Sequence, residues 1–277
     1  MTRTLRIAAI QLNSGIHAPE NLAGAMPLLK AAAAAGAELI VTPENSLRLD
    51  SNRPRLFAAV AAPDNETQIA AWAAAARELG VWLLMGSAGV LAAPGKVFNR
   101  SFLFSPDGST AARYDKIHLF DVQLGGGEAY QESATVQPGD KAVLASGPHE
   151  VKIGMTICYD LRFPLLYGAL ARAGAEVIAI PSAFTATTGR AHWETLVRAR
   201  AIETGAFVVA PAQGGIHDAG RETWGHSMIV NPWGDIIASL DHRDPGYIVS
   251  DLDLDQVTQA RTKIPAWHGG PRFSSPQ

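Results

Sequence analysis

Three side chains that together can carry out nucleophilic catalysis each follow a predicted strand. Cys158 ends the apolar run 151–158, Glu44 follows the short apolar run 39–41, and Lys116 follows the second strand of a predicted hairpin. In such a group the thiol attacks, the carboxylate takes up its proton, and the ammonium stabilises negative charge that develops on the substrate. Because functional groups collect at the carboxyl ends of strands in open α/β sheets, we expect these three side chains to converge.

Each of these residues also has a purely structural explanation. A lone cysteine is often a small buried core residue, a glutamate such as Glu44 can cap a helix or lie on the surface, and most lysines are solvated. Two opposite charges and a proline follow Cys158 within six residues, which favours a strand end over a core interior. At a turn from strand to helix, free N–H groups lower the pKa of a thiol and can hold an oxyanion. We therefore expect Cys158 to be exposed there, with a lowered pKa.

The elements that position these residues alternate between short β-branched runs and alanine-rich segments at helical spacing, which is typical of helices covering a sheet. No internal repeat or linker is evident, so we predict a single domain over residues 1–277. The polar, glycine-rich segment 115–139 is predicted to be a long functional connection. The predicted strands are 5–11, 39–41, 81–87, 97–104, 110–114, 151–158, 177–180, 207–210, 227–230 and 247–251, and the predicted helices are 21–35, 67–79, 163–173 and 192–204.

Composition and charge exclude several classes of partner. The 23 Lys+Arg against 26 Asp+Glu give a net charge of −3, without the basic excess of a nucleic-acid-binding protein. The longest apolar stretch without charges, residues 80–95, is too short and too interrupted to cross a membrane. One cysteine cannot form an intramolecular disulfide, and the chain opens with strand-like residues instead of a secretory leader. We expect a cytoplasmic protein with neither a nucleic-acid nor a membrane partner.

Longer segments around the three residues resemble the Glu, Lys and Cys motifs of the nitrilase superfamily of carbon–nitrogen hydrolases. These segments are Pro43-Glu44-Asn45, Tyr-Asp-Lys-Ile-His-Leu-Phe-Asp at 114–121, and Gly-Met-Thr-Ile-Cys-Tyr-Asp-Leu-Arg-Phe-Pro at 154–164. The resemblance continues in order through 181–184, 188–189, 191–194, 198–203 and 224–234. It therefore covers nearly the whole chain and is most similar to the branch that contains deaminated-glutathione amidase and ω-amidase.

The resemblance implies a fold and four catalytic roles. The family fold is an α-β-β-α sandwich, usually paired through its helices into a homodimer or larger homo-oligomer. Glu44 would be the general base, Lys116 the cation that stabilises the tetrahedral intermediate, and Cys158 the nucleophile. Glu132 matches the second family glutamate, which supports the lysine, although Glu128 is a rival for that role on sequence alone. The catalytic cycle of the family requires no metal or organic cofactor.

Four residues near these motifs are assigned to substrate binding: Tyr159, Arg162, Phe184 and Thr185. The backbone N–H of Tyr159 would stabilise an oxyanion, and Arg162 would bind a substrate carboxylate through two hydrogen bonds. The alternative for Arg162 is an ion pair with Asp160 or Glu194, and the alternative for Phe184 is simple core packing. His118, His192, His217 and His226 do not share the spacing of metal ligands, so we expect no metal site.

The resulting hypothesis is a thiol-dependent amidohydrolase that cleaves a small linear amide carrying a carboxylate, through a thioester on Cys158, to acid and ammonia. Deaminated glutathione is the first candidate substrate, with ω-amidase and N-carbamoyl amino acid hydrolase as alternatives. Tyr159 stands where a true nitrilase usually has tryptophan, and Arg162 stands alone where a carbamoylase usually has two adjacent arginines. The non-enzyme alternative is an inactive scaffold of the same fold.

Overall fold

Two six-stranded sheets form the centre of the computed structural model, which describes residues 3–125, 128–218, 220–270 and 274. The strands are β1 Thr4–Gln11, β2 Leu39–Val41, β3 Trp82–Ala93, β4 Lys96–Phe104, β5 Thr110–Asp115, β6 Asp121–Gly125, β7 Glu128–Gln131, β8 Val143–Ser146, β9 Lys152–Met155, β10 Val177–Ala179, β11 Phe207–Ala210, β12 Gly214–Ile216, β13 Glu222–Trp224, β14 Met228–Val230, β15 Ile236–Ser239 and β16 Gly246–Asp253. The helices are α1 Ala18–Ala34, α2 Arg53–Ala61, α3 Asn65–Leu79, α4 Pro164–Arg172, α5 Ala186–Thr204 and α6 Asp255–Lys263.

The first sheet has the strand order β16-β1-β2-β3-β4-β5, and its three central strands β1, β2 and β3 are parallel. The alternation of side chains along β1 determines what each face contacts. Leu5 and Ile7 point into the core shared with the second sheet. Ile10 lies on the opposite face, in the cluster that holds Leu29 of α1 and Trp72 of α3. Both faces of this sheet are therefore covered.

The second sheet has the order β15-β14-β11-β10-β9-β8, with β9, β10 and β11 parallel. Its side chains join the same core as the inward face of the first sheet, together with Leu170 from α4 and with Trp193 and Val197 from α5. Helices, two sheets and helices thus follow one another as layers. The predicted α-β-β-α sandwich is confirmed.

Several elements differ from the sequence-based prediction. The strand predicted at 151–158 ends at Met155, so Cys158 lies in a 3₁₀ turn, Cys158–Arg162, and not in the strand. The helix predicted from residue 192 begins at Ala186, because the Thr185 side chain accepts a hydrogen bond from the Thr188 N–H and caps it. The connection predicted at 115–139 contains the hairpin β6–β7 and a 3₁₀ turn, Glu132–Ala134. Besides β6 and β7, the helices and strands that the sequence analysis missed are α2, β8, β12, β13, β15 and α6.

The sequence analysis predicted that no segment is long and apolar enough to cross a membrane. Among the residues that the structure describes, none of the helices is both long enough and apolar enough to span a bilayer.

Candidate active site

The turn after β9 holds Cys158 in a strained backbone conformation. Its φ angle is 51°, in the left-handed region that non-glycine residues rarely adopt. The chain is fixed there because the Cys158 N–H donates to the Pro181 carbonyl at 2.9 Å. Only 7% of the residue is exposed. The prediction of an exposed thiol at the sheet edge was therefore wrong: Cys158 is buried and borders a cavity.

Asp160 ties the cysteine turn to the segment that carries the lysine. This fully buried carboxylate accepts hydrogen bonds from the Tyr114 hydroxyl at 2.7 Å and from the backbone N–H of Ile157 at 2.9 Å. His118 adds its backbone N–H at 3.0 Å and its ring Nδ1 at 2.7 Å. Since Tyr114 and His118 flank Lys116, Asp160 fixes the two chain segments relative to each other.

Glu44 reaches the site from the loop that follows β2. This loop lies against β3 at Gly86, where a Cβ atom would come within 2.1 Å of the Pro43 carbonyl oxygen. Glu44 is buried, with 3% of the residue exposed. Its carboxylate accepts hydrogen bonds from the Asn99 side-chain amide and from the Ala183 N–H, both at 2.9 Å. It is therefore held between β4 of the first sheet and the segment that follows β10 of the second, and the interpretation of Glu44 as a surface or capping acid is wrong.

Lys116 lies between two carboxylates. Its Nζ is 2.8 Å from Glu44 Oε1, and 2.9 and 3.1 Å from the two oxygens of Glu132. Burial alone would lower the pKa of this lysine, but the negative charges of Glu132 and Glu44 hold the pKa well above its ordinary value. With 2% of its side chain exposed, Lys116 is a buried, fully charged cation.

Of the two rival glutamates, Glu132 is the one that contacts the lysine. Its position is fixed by the Phe120 N–H, which donates to Oε2 at 2.6 Å. Glu128 instead accepts hydrogen bonds from the hydroxyls of Tyr130 at 3.1 Å and Thr187 at 3.0 Å. The geometry therefore favours Glu132 as the partner of Lys116.

The protonation states of Cys158 and Glu44 are coupled by their proximity. Burial, followed by the negative charge of Glu44, raises the pKa of the Cys158 thiol above its ordinary value. For Glu44, burial opposes ionisation, but the Lys116 ammonium and the neighbouring thiol hold the carboxyl pKa below its usual range. The prediction of a lowered thiol pKa was wrong, because burial and a neighbouring anion outweigh the N–H groups of the turn.

One cavity of about 410 Å³ is bordered by Glu44, Lys116, Glu132 and Cys158. Three of the four residues assigned to substrate binding also line it, and these are Tyr159, Phe184 and Thr185. The lining further includes three cations that the sequence analysis did not select: Arg48, Arg53 and Arg221. The cavity is thus lined by aromatic side chains, by the charged groups of Glu44, Lys116 and Glu132, and by additional arginines.

Arg162 is absent from the lining of this cavity, whose residues all belong to the described part of the chain. Its guanidinium lies over the rings of Tyr159, at 5.8 Å, and Phe184, at 5.4 Å, and contacts His192 Nδ1 at 3.3 Å. Neither proposed ion pair forms, since Asp160 is bonded to His118 and Glu194 pairs with Arg198. Arg162 therefore packs behind two aromatic residues of the cavity wall.

Asn99 is a site residue that the sequence analysis missed. It lies on β4, and its amide nitrogen is 2.9 Å from Glu44 and 3.4 Å from Glu132, so it bridges the two carboxylates. Its Oδ1 is buried, and no residue in the described part of the chain forms a hydrogen bond with it. No clear signal was available, because β4 also contains Lys96, Arg100 and Ser101, and the sequence does not show which of its polar residues is buried.

The histidines do not form a metal site in the part of the chain described here, where no group of three potential ligands occurs. His217 is buried between the Ser14 carbonyl at 2.8 Å and the Thr223 hydroxyl at 2.7 Å. Burial lowers the pKa of His217, so it is a neutral structural residue.

Comparison with known proteins places this site in a family. A family model described as carbon-nitrogen hydrolase matches residues 6–262. The chain belongs to this family. The resemblance to the nitrilase superfamily that the motifs indicated is confirmed, and the protein is a hydrolase of carbon–nitrogen bonds other than peptide bonds.

Individual relatives in this family are amidases. The chain is 40% identical to a deaminated glutathione amidase of Synechocystis sp., over 94% of this chain and 95% of that one. It is 35% identical to the omega-amidase NIT2 of Homo sapiens, over 95% and 94% of the two chains. An amidase structure from Nesterenkonia sp. AN1 is similar with a TM-score of 0.79, 25% identity and 92% coverage of both chains. That structure carries the acetamide moiety of fluoroacetamide, added covalently at the active site cysteine.

Proposed function

We propose that this protein is a cysteine-dependent amidase that hydrolyses a small linear amide carrying a carboxylate, through a thioester on Cys158. The observation that carries the proposal is the contact of Lys116 with Glu44 and Glu132 on the cavity that Cys158 also borders. Relatives named deaminated glutathione amidase make deaminated glutathione the first substrate to test.

Acylation begins from a neutral thiol and an ionised carboxylate. Sγ of Cys158 forms a bond to the amide carbon while its proton passes to Glu44. The electron pair of the C=O bond moves to oxygen, and the resulting oxyanion is stabilised by the Lys116 ammonium and the Tyr159 N–H. Removing one such donor typically costs about 3–4 kcal/mol of transition-state stabilisation. The C–N bond then breaks as Glu44 returns its proton to the leaving nitrogen.

Deacylation uses the same groups in reverse. Glu44 takes a proton from water, and the hydroxyl oxygen attacks the thioester carbon. The C–S bond breaks, the carboxylic acid leaves, and the proton on Glu44 returns to sulfur. Glu132 keeps Lys116 charged and oriented throughout, because its carboxylate contacts the ammonium through both oxygens. Tyr159, Phe184 and Thr185 would contact the bound amide from the cavity wall.

A substrate panel tests this function. Purified protein is incubated with deaminated glutathione, 2-oxoglutaramate and N-carbamoyl amino acids, and substrate loss is followed by chromatography and mass spectrometry. We expect turnover of deaminated glutathione; preference for 2-oxoglutaramate would indicate an ω-amidase, and preference for N-carbamoyl amino acids a carbamoylase. No turnover of any amide by folded protein would refute the proposal and leave the scaffold alternative.

Assembly and compartment are further parts of the proposal. We propose a homodimer or larger homo-oligomer, supported by Ile202 of α5 and by Trp233 of the β14–β15 turn, which expose more than half of their surface on the helix side of the second sheet. We also propose a cytoplasmic location, because a catalytic thiol must stay reduced and the cytoplasm keeps cysteines reduced.

A further inference from the structure

Arg221 is a cation on the cavity wall that no catalytic role yet uses. It lies just before β13, and its Nη2 donates to the Ala183 carbonyl at 2.6 Å, while the guanidinium lies 5.5 Å from the centre of the Tyr130 ring. Its backbone carbonyl accepts the His217 N–H at 2.9 Å. These contacts fix the side chain at the edge of the catalytic cavity.

Within the described residues, the Arg221 guanidinium donates one hydrogen bond, from Nη2 to Ala183. Its Nε is buried and has no hydrogen-bond partner among the described residues. Arg55, Arg100 and Arg243 each pair with a carboxylate. In contrast, within the part of the chain that the structure describes, no carboxylate oxygen lies within 4.0 Å of the Arg221 guanidinium. A half-buried cation without an anionic partner is costly unless a ligand supplies one.

The other cations near the reaction centre are hydrogen-bonded elsewhere, exposed, or outside the cavity. Arg48 donates to the Ile16 carbonyl at 2.9 Å and to the Gln68 side chain at 3.1 Å. Arg53 is exposed and packs over the ring of Phe57. The positive charge of Lys116 is already balanced by ion pairs with two glutamates, so Lys116 is not available to pair with a carboxylate on the substrate. Arg162 packs behind Tyr159 and Phe184 and does not border the cavity. A guanidinium presents several N–H groups in a planar fork that matches a carboxylate.

We propose that Arg221 binds the carboxylate of the substrate and thereby selects anionic amides over neutral ones. This inference rests on the proposed amidase function and names the residue that determines its substrate class. Ala183 links the two ends of the bound molecule: its carbonyl holds Arg221 and its N–H holds Glu44. The distance between the carboxylate and the scissile amide of the substrate is thus set by one peptide segment of the protein.

A different role for Arg221 must be distinguished from this one. After burial and the larger effects of Lys116 and Cys158, the charge of Arg221 also contributes to lowering the pKa of Glu44. If that were its only role, loss of Arg221 would impair every amide alike and displace the acid limb of the pH profile. A carboxylate-binding role affects only substrates that carry the anion.

Two amides of the same size separate these roles. Succinamate carries a carboxylate where succinamide carries a second, neutral carboxamide. For Arg221→Gln we expect kcat/KM on succinamate to fall about 10- to 100-fold, mainly through KM, because a hydrogen-bonded charge pair is lost. On succinamide we expect a change below about threefold, and Arg221→Lys should retain an intermediate preference for the anion because it retains the charge.

Arg190→Gln is the matched control, because Arg190 also lies over an aromatic ring, that of Trp224, but is exposed and outside the cavity lining. It should leave both substrates unaffected. An equal loss on succinamate and succinamide in folded Arg221→Gln would overturn the inference. So would an unchanged preference for succinamate.

A binding measurement keeps the inference separate from the proposed function. In Cys158→Ala, calorimetry measures the binding of succinamate without turnover. We expect binding to weaken about 10-fold or more when Arg221→Gln is added. If the wild-type protein hydrolyses no amide but this difference persists, the amidase proposal fails and the carboxylate site stands. If both variants bind succinamate equally, the inference about Arg221 is wrong.

Discussion

The proton of Cys158 stays on sulfur in the resting protein, because burial and the negative charge of Glu44 both raise the pKa of the thiol. Glu44 is ionised in the same state, since Lys116 and the neighbouring thiol outweigh the cost of its burial. Attack on the substrate therefore requires the proton to move to Glu44 as the C–S bond forms. The carboxylate is needed in every turnover, and a preformed thiolate is not.

These protonation states predict the pH dependence of kcat/KM. Glu44 must be ionised to accept the proton, and its pKa lies below the ordinary carboxyl value of 4.5, so activity should be lost only as the pH falls below about 4.5. Between pH 5 and 8 the profile should be flat, since the raised pKa of Cys158 keeps the thiol protonated throughout. Initial rates at each pH, restricted to conditions where circular dichroism shows folded protein, measure this. A limb rising between pH 6 and 8 would mean that thiolate formation controls the rate.

Glu132 and Glu128 form a matched pair for mutation. Glu132→Gln removes half of the negative charge that faces the Lys116 ammonium, and we expect kcat to fall about 100-fold with a smaller change in KM. Glu128→Gln changes only contacts with Tyr130 and Thr187, and should alter kcat by less than about threefold. Steady-state kinetics of the two variants decide the assignment. The reverse ranking would give Glu128 the role proposed for Glu132.

The sequence indicates some residues of the site and not others, for a physical reason. Cys158, Glu44 and Lys116 follow strands, and strand ends are recognisable because an apolar run stops there. Asn99 and Arg221 reach the site only through the pairing of distant segments, which no local pattern encodes. The same holds for the raised pKa of Cys158, which depends first on the burial of the thiol and then on how close Glu44 comes after folding.

Short elements control the position of Glu44 relative to the sheets. The loop after β2 passes so close to β3 that only a glycine fits at position 86, where a Cβ would lie 2.1 Å from a backbone oxygen. Asp160 fixes the cysteine turn in a similar way, because it accepts hydrogen bonds from the Ile157 N–H of that turn and from the Tyr114 hydroxyl near Lys116. The positions of Glu44 and Cys158 therefore depend on the loop after β2 and on the turn after β9 more than on long helices or strands.

Gly86→Ala tests the role of the loop contact. The added methyl group must displace the segment that carries Glu44, and we expect a loss of about 1–3 kcal/mol in the free energy of unfolding and a clear fall in kcat. Gly24→Ala is the control, because a Cβ at this exposed position of α1 meets nothing within 4 Å. It should stabilise the helix by about 0.5–1 kcal/mol and leave kcat unchanged. Denaturant unfolding and initial rates measure both effects; equal behaviour of the two variants would contradict this role for Gly86.

The sequence predicts apolar elements better than polar ones, whatever their length. The short buried strands predicted at 39–41 and 207–210 match β2 and β11. The strand at 5–11 and the helix at 67–79 are close to the observed β1 and α3, because each has an uninterrupted apolar pattern of the right period. The hairpin β6–β7 was missed because its residues alternate between exposed and half-buried positions, without a fully buried face to produce an apolar signal. The early start of α5 was missed because its first turn is polar and depends on a threonine cap.

In the whole molecule, the site lies where the two sheets meet. Glu44 and Lys116 come from connections that follow strands of the first sheet, whereas Cys158 and Ala183 follow strands of the second. The face-to-face packing of the sheets therefore assembles the reactive group, and neither sheet alone contains it. That the domain extends over all of residues 1–277 stays a prediction.

The proposed assembly is testable through two exposed apolar residues of similar exposure. Ile202→Glu places a charge beside Trp233 on the helix side, and we expect the oligomer to dissociate to the mass of one chain. Leu91→Glu, on β3 of the first sheet, is the control and should leave the mass unchanged. Light scattering coupled to size-exclusion chromatography gives both masses. A wild-type protein with the mass of a single chain would refute the proposed homo-oligomer.

The acyl-enzyme on Cys158 is the intermediate that the proposed mechanism requires in every turnover. Protein quenched in acid during turnover of an amide substrate is analysed by intact-mass spectrometry and peptide mapping. We predict that the mass of the protein increases by that of the acyl group, that the added group maps to Cys158, and that Cys158→Ala folds normally but shows neither the adduct nor turnover. Hydrolysis retained by the pure Cys158→Ala variant, or an adduct on another residue, would show that Cys158 is not the nucleophile.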